Sequence, residues 1–214
     1  HSFPTGVCWG LVGFIEKSGL DYDGRWWFQG SREGAPIRKR RYFFTETFGA
    51  IAFAACAKAT GDAAMADKAR ELYALAKMGF AGSADAKFTD TRPSKGMGAP
   101  MISLVTAQEM RTCLDDDSFN ADIDACIAEI RRDFVKPELE CVMETVGPKG
   151  QLLDHFDGRL LNPGHAIEGA WFILNEARHR GNDPALIKLG CQMLDWMWAR
   201  GWDKEHGGIF YFRD

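Results

Sequence analysis

The sequence GRLLNPGHAIEGAW, residues 158–171, decides where one helix of the fold begins and which side chains its first turns present. Asn162 is a favoured N-cap residue, and Pro163 suits the first helical position because its φ matches a helix and its missing N–H would have no partner there. Apolar residues then recur at helical spacing, at Ile167, Trp171 and Leu174. The stretch therefore predicts a helix whose first turn contains His165.

His165 and Glu168 are the candidate catalytic residues of this stretch. They lie three positions apart, so both project from one side of the predicted helix. The positive end of the helix dipole disfavours a protonated imidazole, which predicts a neutral His165 that accepts a proton near pH 7. A histidine beside a carboxylate meets the needs of general acid–base catalysis. The pattern fits equally a histidine that only caps or packs at a helix start, and the stretch alone leaves both interpretations open.

Length and composition favour a single domain over residues 1–214. Of the 214 residues, 46% are hydrophobic, which is enough for a sizeable core. The net charge is −4 with Lys and Arg dispersed among Asp and Glu, so we expect neither a nucleic-acid partner nor binding to a membrane. We expect no cleavable signal at the start of the sequence. The six cysteines stand singly, which predicts reduced thiols of a cytoplasmic protein and neither a disulfide framework nor a metal site.

Helical periodicity recurs in pairs of segments, with turns near residues 61, 116 and 182. Each predicted helix has an apolar stripe along one face. In the first pair the stripe of the first helix is Phe44, Phe48, Ile51, Ala52, Ala55, Cys56 and Ala59, and that of the second helix is Met65, Ala69, Leu72 and Ala76. The second helix of the next pair has Phe119, Ile123, Ile127, Ile130 and Phe134. The third pair has Ile167, Ala170, Trp171 and Leu174, then Leu186, Leu189, Met193, Trp196 and Met197. Two-helix units must stack on neighbours to bury their apolar faces. The sequence thus predicts an all-α fold of consecutive antiparallel hairpins.

Short strands are expected between the helices, where turn residues flank aromatic or β-branched residues. The predicted segments are Trp26–Phe28, Glu140–Leu161 and Ile209–Phe212. The first, within residues 21–34, and the second are each predicted to form a β-hairpin.

The segment Phe80–Met97 is rich in Gly, Ser and Asp and predicts a long loop. Long loops of compact domains are often functional. Arg92 and Lys95 could meet an anionic or sugar ligand there, although exposed cations usually have no such role.

The extended stretch GRLLNPGHAIEGAWFIL resembles the N-acylglucosamine 2-epimerase family, which includes renin-binding protein. Three further segments resemble the family in the same order: RKRRYFFTETFGAIAFA (residues 38–54), KGMGAPMISLV (residues 95–105) and WDKEHGGIFYFRD (residues 202–214). The resemblance implies an (α/α)6 toroid, in which six helical hairpins surround a central pocket, with short β-strands at one end. This chain would supply about half of it. In the family, an active-site arginine lies in the opening helices, and a second catalytic histidine and a glutamate lie in the closing ones.

The resemblance implies epimerisation at C2 of an open-chain sugar, between N-acetylglucosamine and N-acetylmannosamine. His165 would be one acid/base residue, with Glu168 its neighbour in the pocket, and neither a metal nor a redox cofactor is required. The side chains themselves agree with this chemistry, because removal of a proton next to a carbonyl needs a base of near-neutral pKa.

Further pocket positions follow from the same resemblance. Trp171, one turn beyond Glu168, is expected to approach the sugar. The related cellobiose epimerases and aldose–ketose isomerases place a tyrosine where Phe44 falls, and Asn and His within the segment that contains Met101. The apolar residues at these substrate-binding positions favour the N-acylglucosamine branch.

Three other functions remain open, and the first is 2-epimerisation of a different sugar by an enzyme of the same superfamily. Aldose–ketose isomerisation uses the same enolised intermediate but returns the proton to C1. A relative without catalysis would instead bind a sugar or a protein. A homodimer is a possible assembly for any of these proteins.

Overall fold

The computed structural model describes residues 5–39, 42–83 and 93–214. Its helices are α1 (Thr5–Ser18), α2 (Phe44–Thr60), α3 (Ala63–Met78), α4 (Gly98–Leu114), α5 (Asn120–Glu129), α6 (Phe156–Arg159), α7 (Pro163–His179) and α8 (Pro184–Gly201). Its strands are β1 (Trp27–Gly30), β2 (Pro36–Lys39), β3 (Lys95–Gly96), β4 (Val135–Lys136), β5 (Cys141–Val142) and β6 (Thr145–Val146). Helices dominate, as predicted. None of the described helices has the length and apolar character needed to cross a membrane.

The chain divides into two compact units. The first unit comprises the described part of His1–Phe88 together with Thr106–Asn120, and the second comprises the described part of Thr89–Val105 together with Ala121–Asp214. Each unit contains one helical hairpin, α2–α3 in the first and α7–α8 in the second. The single domain expected over residues 1–214 stays a prediction.

The α2–α3 hairpin turns at Gly61, as the sequence predicts. Gly61 adopts φ 73°, a left-handed conformation that glycine tolerates best, and its N–H donates to the Ala57 carbonyl over 2.8 Å. Asp62 then caps α3 by accepting a hydrogen bond from the Ala64 N–H. The predicted stripe of α3 is buried, at Met65, Ala69, Leu72 and Ala76.

The apolar face predicted for α2 is wrong, because the face that is buried is rotated about the helix axis from the predicted one. Phe48 is 61% exposed, whereas the buried face contains Glu46, Ala50, Phe53 and Ala57. Alanines lie on every side of α2, so the hydrophobic pattern does not distinguish one face. Glu46 can be buried because its Oε1 accepts from Arg25 Nε over 2.6 Å and from the Trp26 N–H over 3.2 Å.

The α7–α8 hairpin turns at Gly181 and Asn182, both of which have positive φ. The buried residues of α8 include the predicted Leu186, Leu189, Met193 and Met197. The stripe predicted for α7 is partly wrong, since Trp171 is 62% exposed and the buried face contains Ala166, Ala170, Ile173 and Ala177. The small alanines let α7 lie close to α8, which a tryptophan on that face would prevent.

The five apolar residues predicted around α5 are all buried: Phe119, Ile123, Ile127, Ile130 and Phe134. The helix changes to a π-helical turn over Ile130–Phe134, and the chain then continues into β4.

Of the two predicted β-hairpins, the first forms and the second does not. β1 pairs with β2 as an antiparallel hairpin, with its first strand close to Trp26–Phe28. Glu140–Leu161 does not form a hairpin: β5 pairs with β4 and β6 pairs with β3, because the register of this segment is set by strands outside it. Residues 209–212, all of them described, form no strand, and Ile209 makes one isolated bridge to Trp202.

The close approach of α7 and α8 at Gly190 gives a test. A Cβ on Gly190 would lie 2.5 Å from Leu174 Cγ and 3.2 Å from the Ala170 carbonyl oxygen. We expect Gly190→Ala to lower the free energy of unfolding by about 1–3 kcal/mol in urea titrations, since overpacking outweighs the gain in helix propensity.

Gly13→Ala in α1 is the matched control. No described heavy atom lies within 4 Å of a Cβ at this exposed position, so the variant should gain about 0.5–1 kcal/mol from helix propensity. An equal gain in Gly190→Ala would contradict the close packing of α7 on α8.

Candidate active site

The first turn of α7 has the geometry that its sequence predicts. Asn162 is buried, has a β-type conformation and accepts a hydrogen bond from the His165 N–H through its side-chain Oδ1, over 3.1 Å. Pro163 occupies the first turn, and the end of α8 at Gly201 packs against its ring. Leu161 is held by a pair of backbone hydrogen bonds with Arg213, of 2.7 and 3.0 Å. The backbone of His165 is thus fixed by contacts on both sides of the N-cap.

Glu144 lies between β5 and β6, where the extended chain changes its pairing partner. The Met143 N–H still donates to the Phe134 carbonyl, beside β4, over 2.9 Å. One residue later, the Glu144 carbonyl accepts from the Met97 N–H, beside β3, over 2.9 Å, and the Glu144 N–H donates to the Leu160 carbonyl over 3.4 Å. Glu144 therefore has a fixed backbone from which its side chain projects.

The imidazole of His165 contacts the carboxylate of Glu144. Its Nδ1 lies 3.1 Å from Oε1 and 3.2 Å from Oε2. An ionised carboxylate only accepts hydrogen bonds, so Nδ1 carries the proton and donates it. In the neutral ring the remaining nitrogen, Nε2, then holds the lone pair. The His165 side chain is 40% exposed and that of Glu144 20%, so the pair lies at the surface of its unit, where the ring remains accessible to a ligand.

The pKa of His165 is raised above its ordinary value of 6.5. The main cause is the hydrogen bond to Glu144, burial opposes it, and the charges of Glu144 and Glu168 add to the rise. The prediction that the helix start favours a neutral ring is therefore wrong in direction. The sequence shows the helix dipole and the neighbouring Glu168, but the largest contribution comes from the carboxylate of Glu144, 21 positions earlier in the chain.

Glu168 and Trp171 follow His165 along α7, and both side chains are exposed. The Glu168 carboxylate is close enough for its charge to raise the pKa of His165. The indole of Trp171 lies 5.0 Å from the Phe172 ring, tilted by 41°. The two residues are accessible on the helix that carries His165, and their roles stay predictions.

Lys95 is held in a cluster of charges in the second unit. Its ammonium contacts the Glu129 carboxylate over 2.7 Å and also the carboxylate of Asp133. Asp133 is buried, and its hydrogen bonds to Arg132 and Lys95 keep its pKa at about 2 despite burial. A sugar bound by Lys95 would have to share the ammonium with these two carboxylates. Arg92 lies outside the described residues.

Met101 and Phe44 have apolar surroundings. Met101 is buried, and a Cβ on Gly169 of α7 would lie 3.8 Å from its Cγ, so it packs against the helix of His165. Phe44 belongs to the first unit, where its half-buried ring lies edge-on to Phe80 at 5.5 Å. Their proposed contacts with a sugar stay predictions.

A cavity of about 430 Å³ in the second unit does not include the candidate catalytic residues. Its lining includes Met143 and Leu161, the neighbours of Glu144 and Asn162 in the chain. Successive residues of an extended segment point to opposite sides, so this cavity lies behind the segment that presents Glu144 to His165. Within the described ranges, no group of three or more His, Cys, Asp or Glu side chains is placed to hold a metal ion.

Comparison with known proteins identifies relatives of this chain. The model of the family described as N-acylglucosamine 2-epimerase (GlcNAc 2-epimerase) matches residues 10–214. The N-acylglucosamine 2-epimerases of Bos taurus and Mus musculus are each 29% identical to this chain, over 189 and 191 residues respectively. Each alignment covers 86% of this chain but 45% of the relative, so the chain spans a little under half the length of these relatives.

Solved structures confirm the predicted fold class. Cellobiose 2-epimerase from Bacillus thermoamylovorans B4167 superposes on 94% of this chain with a TM-score of 0.74, at 16% identity, and 58% of that chain is covered. A D-mannose isomerase superposes on 94% with a TM-score of 0.71, at 15% identity, and 55% of it is covered. At such low sequence identity the structural similarity shows only the fold. That fold is a partial (α/α)6 toroid.

The N-caps of α7 and α8 allow the role of the first turn to be tested. Asp183 caps α8 by accepting from the N–H groups of Ala185 and Leu186, and it too precedes a proline. We expect Asn162→Ala and Asp183→Ala each to lower the free energy of unfolding by about 0.5–2 kcal/mol.

Only Asn162→Ala should also lower the pKa of His165 in an NMR titration, because that cap holds the turn that presents the ring to Glu144. Equal pKa values in the two variants would contradict this role of Asn162.

Proposed function

Because the chain belongs to the N-acylglucosamine 2-epimerase family, we propose that the protein interconverts N-acetylglucosamine and N-acetylmannosamine. The observation that carries the proposal is the hydrogen bond from His165 Nδ1 to Glu144, which leaves Nε2 as a proton acceptor on an accessible ring. The relatives from Bos taurus and Mus musculus, both named N-acylglucosamine 2-epimerase, support the choice of sugar.

The proposed reaction is a proton transfer at C2 of the open-chain sugar. The lone pair of His165 Nε2 takes the proton from C2, and the electrons of the C–H bond move into the adjacent C1 carbonyl to form an enolate. A second acid, the histidine that the family resemblance implies in the closing helices, then delivers a proton to the opposite face of C2, which gives the epimer and restores the carbonyl. In the reverse direction protonated His165 is the donor, and its raised pKa increases the share of that form.

Glu168 is proposed to act beside His165, either on its proton affinity or on a sugar hydroxyl. Its carboxylate already raises the pKa of the imidazole, and its exposure leaves its oxygens available to a ligand. Trp171 is proposed to provide an aromatic surface for the sugar ring, since its face is accessible one turn further along α7.

A cytoplasmic location and a homodimer are also proposed. The described cysteines are thiols rather than disulfides, which is compatible with a cytoplasmic location. No nucleic-acid partner is expected from the net charge of −4.

His165→Ala tests the catalytic assignment. We expect the variant of the full-length protein to lose at least about 100-fold in the rate at which the C2 proton of N-acetylmannosamine exchanges with deuterated water, followed by proton NMR. His179→Ala, at the other end of α7, is the control and should leave this rate unchanged, because that ring is exposed and distant along the helix from the proposed site.

Three outcomes would overturn the proposal. Unchanged exchange in His165→Ala would remove this histidine from the reaction. With an unsubstituted aldose such as mannose, which bears a hydroxyl at C2, label appearing at C1 of a ketose product would indicate aldose–ketose isomerisation. Binding of the sugar by the unmodified protein without exchange would indicate a non-catalytic relative.

Glu168→Gln distinguishes the two proposed roles of Glu168. If the carboxylate tunes His165, its loss lowers the pKa of the imidazole and moves the acidic limb of the pH–rate profile to lower pH. If it holds the sugar, KM rises and the limb stays in place. A profile and kinetic constants that match the unmodified protein would exclude Glu168 from the site.

A further inference from the structure

We propose that Glu144 is the positioning residue of His165, fixing the ring so that Nε2 is the nitrogen that exchanges protons with the substrate. This inference rests on the proposed function, which assigns the proton transfer to His165. Glu144 is not part of the stretch that carries the family resemblance at the start of α7, and it reaches the site through tertiary structure.

The geometry of the pair supports orientation rather than an incidental contact. Both carboxylate oxygens lie within 3.2 Å of Nδ1, so the ring nitrogen faces the carboxylate symmetrically. The backbone of Glu144 is held at its N–H by Leu160 and at its carbonyl by Met97. The backbone of His165 is held by Asn162. Two fixed backbones joined through their side chains leave the imidazole little freedom to rotate.

The chemistry of the pair determines which nitrogen reacts. Free histidine interconverts between two neutral tautomers, and only the one with the proton on Nδ1 presents a lone pair at Nε2. The carboxylate stabilises this tautomer because it accepts from Nδ1–H and has nothing to donate. It also stabilises the imidazolium that forms when Nε2 takes a proton. Glu144 thus assists both halves of a proton transfer without touching the substrate.

The charged groups that act on the ring are Glu144 and Glu168. Glu144 acts through a hydrogen bond and through its charge, whereas Glu168 acts through its charge alone. Glu144→Gln removes the charge but keeps an oxygen that can accept from Nδ1–H. Glu144→Ala removes both. The two variants therefore separate the electrostatic effect of Glu144 from its effect on ring orientation.

The test combines NMR of the full-length protein labelled with 15N-histidine and steady-state kinetics across pH. The His165 signals are assigned by their loss in His165→Gln. In Glu144→Gln we expect the Nδ1–H tautomer to persist, and the acidic limb of the kcat/KM profile to move to lower pH together with the pKa of the ring. In Glu144→Ala we expect mixed tautomers and a fall of about 10–100-fold in kcat with a smaller change in KM.

Glu140→Gln is the matched control, an exposed carboxylate on the same connection four positions earlier, and it should change none of these readouts. An unchanged tautomer in Glu144→Ala, or an unmoved acidic limb in Glu144→Gln, would overturn the positioning role. If Glu144→Ala does not fold, Glu144→Gln still decides the question. If the unmodified protein exchanges no C2 proton, the proposed function fails, while the NMR titration continues to report whether Glu144 controls the ring.

Discussion

The candidate site depends on a change of strand partner within residues 141–146. β5 is hydrogen-bonded to β4. After two intervening residues, β6 is hydrogen-bonded to β3. This short segment therefore ties the chain that follows α5 to the chain that precedes α4. Glu144 lies at the crossover, where its backbone is bound on both sides, and its carboxylate meets the first turn of α7. A slip of one residue in this register would turn the carboxylate away from His165.

The relative sizes of two electrostatic effects explain the protonation of His165. The start of a helix disfavours a nearby cation by about 0.3–1 kcal/mol at an exposed site. A hydrogen bond to a charged group contributes about 1.5–3 kcal/mol in favour of the ion. His165 is subject to both, and its pKa is raised because the hydrogen bond to Glu144 is the stronger of the two. The same carboxylate therefore orients the ring and increases the share of its acid form, which suits a reaction that runs in both directions.

Local patterns in the sequence predicted where helices and turns lie better than they predicted which side chains are buried and what those side chains contact. The cap at Asn162, the turn at Gly61 and the helix that begins at Pro163 depend on residues within a few positions of one another, and all were predictable. The buried side of α2 was not, because its alanines give it no distinct apolar face and because the burial of Glu46 depends on Arg25, a residue outside the helix. Glu144 was missed for the same reason: nothing in its neighbourhood along the chain distinguishes it from the other acidic residues.

The pairing of β3 with β6 also has a consequence for the order of folding. Lys95 and Val146, which are paired here, and Val142 and Met197, joined by an N–H···S contact of 3.2 Å, are separated by about fifty positions in the chain. The α7–α8 hairpin, by contrast, closes through a turn of a few residues, at a much lower cost in loop entropy. Contacts of such long range form late in a folding reaction. The cap of α7 at Asn162 thus forms from residues close together in the chain, whereas the backbone that presents the carboxylate partner of the imidazole depends on pairing between distant parts of the chain.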